Sequence, residues 1–156
     1  MQPATRNNQN MKRYNIRVYA IITWNEQVLV TDEFRMEMRM TKFPGGGHEW
    51  GEGIAETVKR ECMEELGQEP VYISHFYTTD FFIASAFREE DQLISIYYKT
   101  QLPHPETIQV AANAFDFPEE KDGAQVFRWI PLNVISPEQF TFPADKKVAE
   151  LLKNRS

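Results

Sequence analysis

Residues 46–68 read GGHEWGEGIAETVKRECMEELGQ, and this stretch constrains the chain more than any other. Gly46 is followed by Glu52, then by the pair Arg60-Glu61, then by Glu64, Glu65 and Gly67. Gly67 is a helix stop, because glycine takes the left-handed conformation that closes a last turn. Gly53 is a permissive start. Between them Ala55, Val58, Cys62 and Leu66 fall on one helical stripe, which must face a core. Glu61 and Glu65 are four residues apart and Glu64 is three from Glu61, so the three carboxylates are neighbours along one edge of that stripe. Two readings fit the charges. A solvated acidic helix face costs only about 0.2–0.5 kcal/mol per like-charged pair. A half-buried edge costs more and is stabilised by a hard divalent cation, which prefers oxygen ligands.

The spacing separates these readings. The stretch resembles the Nudix box, G-x5-E-x7-R-E-U-x-E-E-x-G-U with U a bulky aliphatic residue. Gly46, Glu52, Arg60, Glu61, Glu64, Glu65 and Gly67 occupy all seven fixed positions. Ordinary residue usage gives such a match in fewer than about one window in ten million. Cys62 and Gln68 depart from the aliphatic positions; neither carries chemistry in the motif. Pro44-Gly45 before the box and Glu49-Trp50-Gly51 within it are also similar to the family.

The resemblance implies a three-layer α/β/α sandwich with a mixed β-sheet. It also implies hydrolysis of nucleoside diphosphates linked to another group, with magnesium or manganese. Carried over residue by residue, it makes Glu61, Glu64, Glu65 and the Gly46 carbonyl metal ligands, with Glu64, Glu61 and Arg60 as the catalytic set. Glu52 supports or binds metal. Arg60 lies at pairing distance from Glu56 and Glu64, which favours an orienting role. Family members place the general base either in the box or in a late acidic loop; here that loop carries Glu119, Glu120 and Asp122.

The rest of the sequence fits one α/β domain. Strands are expected at residues 15–23, 27–31, 39–43, 70–82, 92–101 and 125–130, the first two forming a hairpin. A terminal helix is expected over residues 143–152. Residues 1–12 read as a flexible leader and 13–156 as a single domain. In a chain of 156 residues with 42% hydrophobic and 26% charged side chains, one core is the expectation. One cysteine excludes an internal disulfide, which points to the cytoplasm. No stretch has the length of a membrane span.

A net charge of −6 argues against a long nucleic acid but allows a small nucleotide whose phosphates are balanced by a metal ion. Arg35, Arg39 and Lys42 recur just before the box and Arg17 sits in the first expected strand; of these Arg17, Arg39 and Lys42 are the candidates for phosphate contact, and scattered solvated charge is the other reading. Phe76, Tyr77, Phe81, Phe82, Tyr97 and Tyr98 belong mostly to the core, with one or two free to stack on a base. His48 is expected at the surface. Residues 81–87 carry neither the proline that the family's ADP-ribose cleavers often show beyond the box nor the tyrosine of its dinucleoside polyphosphate cleavers, so the resemblance favours a nucleoside triphosphate or another nucleoside diphosphate conjugate as substrate. A non-catalytic nucleotide-sensing module is the alternative, and a homodimer is compatible with either.

Overall fold

The structure is a computed structural model describing residues 11–155. The expected leader therefore lies outside the described residues, apart from Met11 and Lys12. The main elements are β1 (Arg13–Trp24), β2 (Gln27–Arg35), β3 (Met38–Lys42), β4 (Gly45–Gly47), α1 (Ile54–Leu66), β5 (Val71–Thr78), β6 (Asp91–Gln101), β7 (Ala124–Pro131) and α2 (Pro143–Asn154).

β1 sets the layering. Val18, Ala20 and Ile22 point to one face and join Val58 and Cys62 of α1. Ile21, with Tyr19 packed beside it, points to the other and joins Ala144, Val148, Ala149 and Leu152 of α2. A strand that is apolar on both faces has to be covered on both, so the two helices sandwich it. Burying side chains such as Val58 and Val148, both within 2% of complete exclusion from solvent, contributes about 1.5–3 kcal/mol each.

The sheet is mixed. β1 runs parallel to β6 from Arg13↔Asp91 to Ile22↔Thr100, and β5 adds antiparallel to β6. On its other edge β1 pairs with β4 over Arg17–Tyr19. That edge is no longer free for β2, so the β1–β2 hairpin pairs only at Thr23↔Val28 and Trp24↔Gln27. Asn25 and Glu26, both with positive φ, close its turn. β2 then leaves β1 and lies between β3 and β7, antiparallel to both. The site is built around this splay.

Three local expectations change. The glycine turn at 45–47 is itself the strand β4. A Cβ at Gly45 would lie 2.2 Å from the Val18 carbonyl oxygen, and its φ is +150°, so only glycine lets β4 lie flush on β1. β2 runs on past Thr31 to Arg35. The strand expected over 70–82 stops at Thr78, because Thr79 binds Ser95 through both its N–H and its hydroxyl. The chain then turns to bury Ile83, whose carbonyl accepts from Leu93 N at 2.8 Å. Phe82 is left 72% exposed and Phe81 39%, not in the core. α1 starts after Gly53, and Gly67 ends it at φ 71°, its N–H donating to the Met63 carbonyl.

Candidate active site

α1 packs its stripe on β1 while its opposite edge faces β4 and the splay. Arg60 is the hub. Its Nη2 donates to Glu52 Oε1 and to the Gly47 carbonyl, each at 2.8 Å, and its Nε donates to Glu52 Oε2 at 3.0 Å. Nη1 reaches Glu61 Oε1 at 3.0 Å and Glu64 Oε2 at 3.3 Å. The partner expected at Glu56 is replaced by Glu52, because the turn at 47–53 folds back beneath the helix. Glu52 is held down to about 2 by this guanidinium first, and further by the Glu49 N–H and the Thr57 hydroxyl.

Glu61 lies half-buried beside Arg60, Glu65 lies half-buried one turn further on, and Glu64 stands exposed, along one edge of the helix as the spacing requires. Glu61 lies against the backbone of Gly46: a Cβ there would be 2.4 Å from Glu61 Oε1. Glu65 is the unusual group. Its Oε2 is buried and has no hydrogen-bond partner. Burial pushes its carboxyl up to about 7, Lys42 acts the other way, and Glu61, Glu33 and Glu64 push it up further. Lys42, on the neighbouring strand, pairs with Glu33 at 3.4 Å; Thr31 donates to Glu33 and accepts from Gln125. Arg17 extends from β1 toward the same space, its Nη1 3.5 Å from where a Cβ on Gly47 would sit, while its Nε donates to the Tyr19 hydroxyl.

The structure thus gathers Gly46, Arg60, Glu61, Glu64 and Glu65, with Arg17 and Lys42 nearby. Arg39, Glu120, Asp122 and Glu119 each have a partner outside the box. Arg39 forms a two-pronged ion pair with Glu120 and stacks over Phe115 at 5.4 Å. Asp122 accepts from the Met36 N–H at 2.8 Å, and Glu119 pairs with Lys121. The Arg39–Glu120 and Met36–Asp122 contacts latch the 102–123 loop to the β2–β3 hairpin. Asp32, buried and bound by Arg128 and Thr41, fixes the same loop through the Phe115 N–H.

A groove of about 620 Å³ opens where this loop passes the end of α1. Glu65 and Leu66 form one wall, Ile108, Val110 and Asp116 another, and Gln125 and Phe127 the floor. Asp116 is the loop carboxylate that shares a groove with Glu65 of the box. No spacing signal marks it, since the loop's path depends on Asp32 and Arg39. Gln68, an outlier in the motif, pins the loop by exchanging hydrogen bonds with the backbone of His104 and donating to Thr107. His48 is not a free surface residue: its Nδ1 lies 2.8 Å from the Thr57 hydroxyl, and Thr57 is fully buried. Cys62 is buried beneath the site, its thiol pushed up to about 12 by that burial, which makes it inert.

Among the described residues no three His, Cys, Asp or Glu side chains stand close enough to ligate an ion as they lie. Arg60 instead provides the positive charge beside Glu61 and Glu64. The donor chemistry nonetheless fits a hard divalent cation on two counts. All the donors are oxygens, and Glu65 presents a buried oxygen with no donor to meet it.

Among curated proteins none matches this chain. Solved structures do share the fold. A MutT protein, from a study of Aliivibrio salmonicida and Vibrio cholerae, superposes with a TM-score of 0.62 at 19% identity, over 92% of this chain and 100% of that one. A NUDIX hydrolase from Nitrosomonas europaea gives 0.64 at 18% identity, over 92% and 90% of the two chains. A MutT NUDIX hydrolase from Burkholderia pseudomallei gives 0.64 at 19%, over 89% and 98%. The family model described as the NUDIX domain matches residues 13–152, so with the box, the sandwich and its splay in place, the chain belongs to the NUDIX family of hydrolases.

Proposed function

We propose that the protein hydrolyses the phosphoric anhydride of a nucleoside triphosphate or another nucleoside diphosphate conjugate, releasing a nucleotide together with pyrophosphate or a phosphorylated product. The observation that carries this reading is the partnerless Glu65 Oε2 beside Glu61 and Glu64. Glu61, Glu64, Glu65 and the Gly46 carbonyl would hold Mg2+ or Mn2+, which when bound neutralises anhydride oxygens and acidifies water.

The chain's own residues do the positioning. Arg60 orients Glu61 and Glu64 from its anchor on Glu52 and the Gly47 carbonyl. Of these two carboxylates, Glu64 is the more accessible and the better placed to take a proton from attacking water. Arg17 and Lys42 supply positive charge on the β-sheet side, where transferring phosphates carry their negative oxygens. The groove between α1 and the 102–123 loop has the size of a nucleotide site and mixes apolar walls with Gln109, Asp116 and Gln125. The excess of acidic residues on the chain matches a small metal-balanced substrate, not a long polyanion.

The test is a panel of nucleoside triphosphates and nucleoside diphosphate conjugates incubated with Mg2+ or Mn2+, reading released phosphate and pyrophosphate. Turnover that disappears in Glu64→Gln and Glu65→Gln supports the reading. Tight nucleotide binding with no turnover across the panel assigns the protein to nucleotide sensing instead.

A further inference from the structure

We infer that His48 and Thr57 are positioning residues that hold Glu52 on Arg60 and thereby keep Glu61 and Glu64 in register. For its activity arm this rests on the proposed hydrolase function; its structural arm does not.

Thr57 lies on the buried side of α1 with no exposed surface, a place where an apolar side chain would pack as well. Its hydroxyl has three neighbours: Glu52 Oε1 at 2.9 Å, the Gly53 carbonyl at 3.3 Å and His48 Nδ1 at 2.8 Å. It has one proton to give. A helical threonine ordinarily spends that proton on the carbonyl four residues back, here Gly53. That carbonyl is the farthest of the three. The 2.9 Å approach of two oxygens requires a proton between them, and Glu52, ionised against Arg60, has none. The Thr57 proton therefore points at Glu52. His48 Nδ1 must then be the donor of the remaining contact, which fixes the ring in its Nδ1–H tautomer.

The consequence reaches the acidic edge of α1. Glu52 Oε1 accepts from the Glu49 N–H, the Thr57 hydroxyl and Arg60 Nη2, while Oε2 accepts from Arg60 Nε. Donors from the turn and from α1 thus meet on one carboxylate, and His48 braces the middle one from the end of β4. Without the Thr57 hydroxyl the carboxylate keeps Arg60 and the Glu49 N–H but loses its tie to the buried side of α1, and the face that aims Arg60 Nη1 at Glu61 and Glu64 loosens. Groups that orient metal-binding or catalytic residues in this way are typically worth about 10–100-fold in metal affinity or activity.

Two measurements test this. Long-range 1H–15N spectra near pH 8, with the His48 ring assigned by its absence in His48→Asn, should show a protonated Nδ1 and a bare Nε2; the opposite tautomer overturns the inference. Thr57→Val should lower kcat, and weaken Mn2+ binding measured without nucleotide, by about 10–100-fold, with KM unchanged within about threefold. Its melting midpoint should stay within about 3 °C of wild type. Thr57→Ser, which keeps the hydroxyl, should restore both to within about threefold. A Val variant as active as wild type, or a Ser variant as impaired as Val, overturns the inference. If the wild type turns over no nucleotide, the hydrolase reading fails, and the tautomer and Mn2+ binding alone decide this one.

Discussion

Replacing Glu65 with Gln should make the metal-free protein more stable, and the size of the gain follows from its burial. In the folded chain the carboxyl holds its proton to about pH 7, against an ordinary value of 4.5. Between those values the native state binds a proton that the unfolded state has released, so stability falls as pH rises through this window. The full penalty, about 3 kcal/mol, is reached above pH 7. Glutamine copies the protonated form in shape and neutrality and does not titrate. The variant should match wild type near pH 4 and exceed it by up to about 3 kcal/mol at pH 8.5, a rise of about 10 °C in melting midpoint for a chain of this size. Urea and thermal melts in a chelating buffer at the two pH values measure the difference, and other titrating groups common to both proteins cancel. Adding Mg2+ or Mn2+ should then stabilise wild type at pH 8.5 and leave the variant nearly unmoved, because mass action acts only on a state that binds. A variant no more stable than wild type at pH 8.5 without metal would refute the argument, since Glu65 would then have a compensated charge.

Asp145 offers the same test in the other layer: it accepts from the Tyr97 hydroxyl at 2.6 Å, and its burial pushes it from 3.8 up to about 7. Its contribution to stability is therefore lost as pH rises from about 4 to 7, by about 4 kcal/mol at most, and Asp145→Asn should flatten that slope in urea melts. Gly46→Ala places a Cβ in Glu61. The obstacle is the tip of a flexible side chain, so stability should drop by only about 1 kcal/mol while turnover falls by at least about tenfold, read by melts and initial rates. Glu120→Gln should keep kcat within about threefold, since its carboxylate is already engaged by Arg39. A large kcat loss would put Glu120 back among the candidates for the base.

The box was legible because its chemistry is local. Gly53 and Gly67 bound the helix, and the i,i+3 and i,i+4 offsets alone put Glu61, Glu64 and Glu65 on one edge. β1 was legible in the β-branched and aromatic residues of 15–23, while its burial on both faces depends on the two helices that cover it. What escaped depends on contacts distant in sequence. Arg39, close to the box along the chain, is 81 residues from its partner Glu120 and is drawn away by it. Asp116 reaches the groove on a loop that Asp32, 83 residues earlier than Phe115, helps to anchor. The end of β5 at Thr78 is set by Ser95 on the adjacent strand. His48 and Thr57 lie inside the motif, yet their link crosses from β4 to α1 and occupies positions that the motif leaves open.

Charge explains why such bracing is needed at this edge. Among the described residues the lysines and arginines beside Glu33, Glu49, Glu52, Glu61, Glu64 and Glu65 are Arg17, Lys42 and Arg60. The surplus of three negative charges equals half of the chain's formal −6. Arg60 alone touches four of the six carboxylates. A hub so oversubscribed would swing among its partners unless one pairing were fixed. Glu52 supplies that fixed pairing, since it takes two guanidinium nitrogens and is held from behind by a backbone N–H and a hydroxyl. Glu61 and Glu64 each face Arg60 through the single nitrogen Nη1, so on the proposed function they would exchange that contact for a divalent ion while Arg60 stays in place.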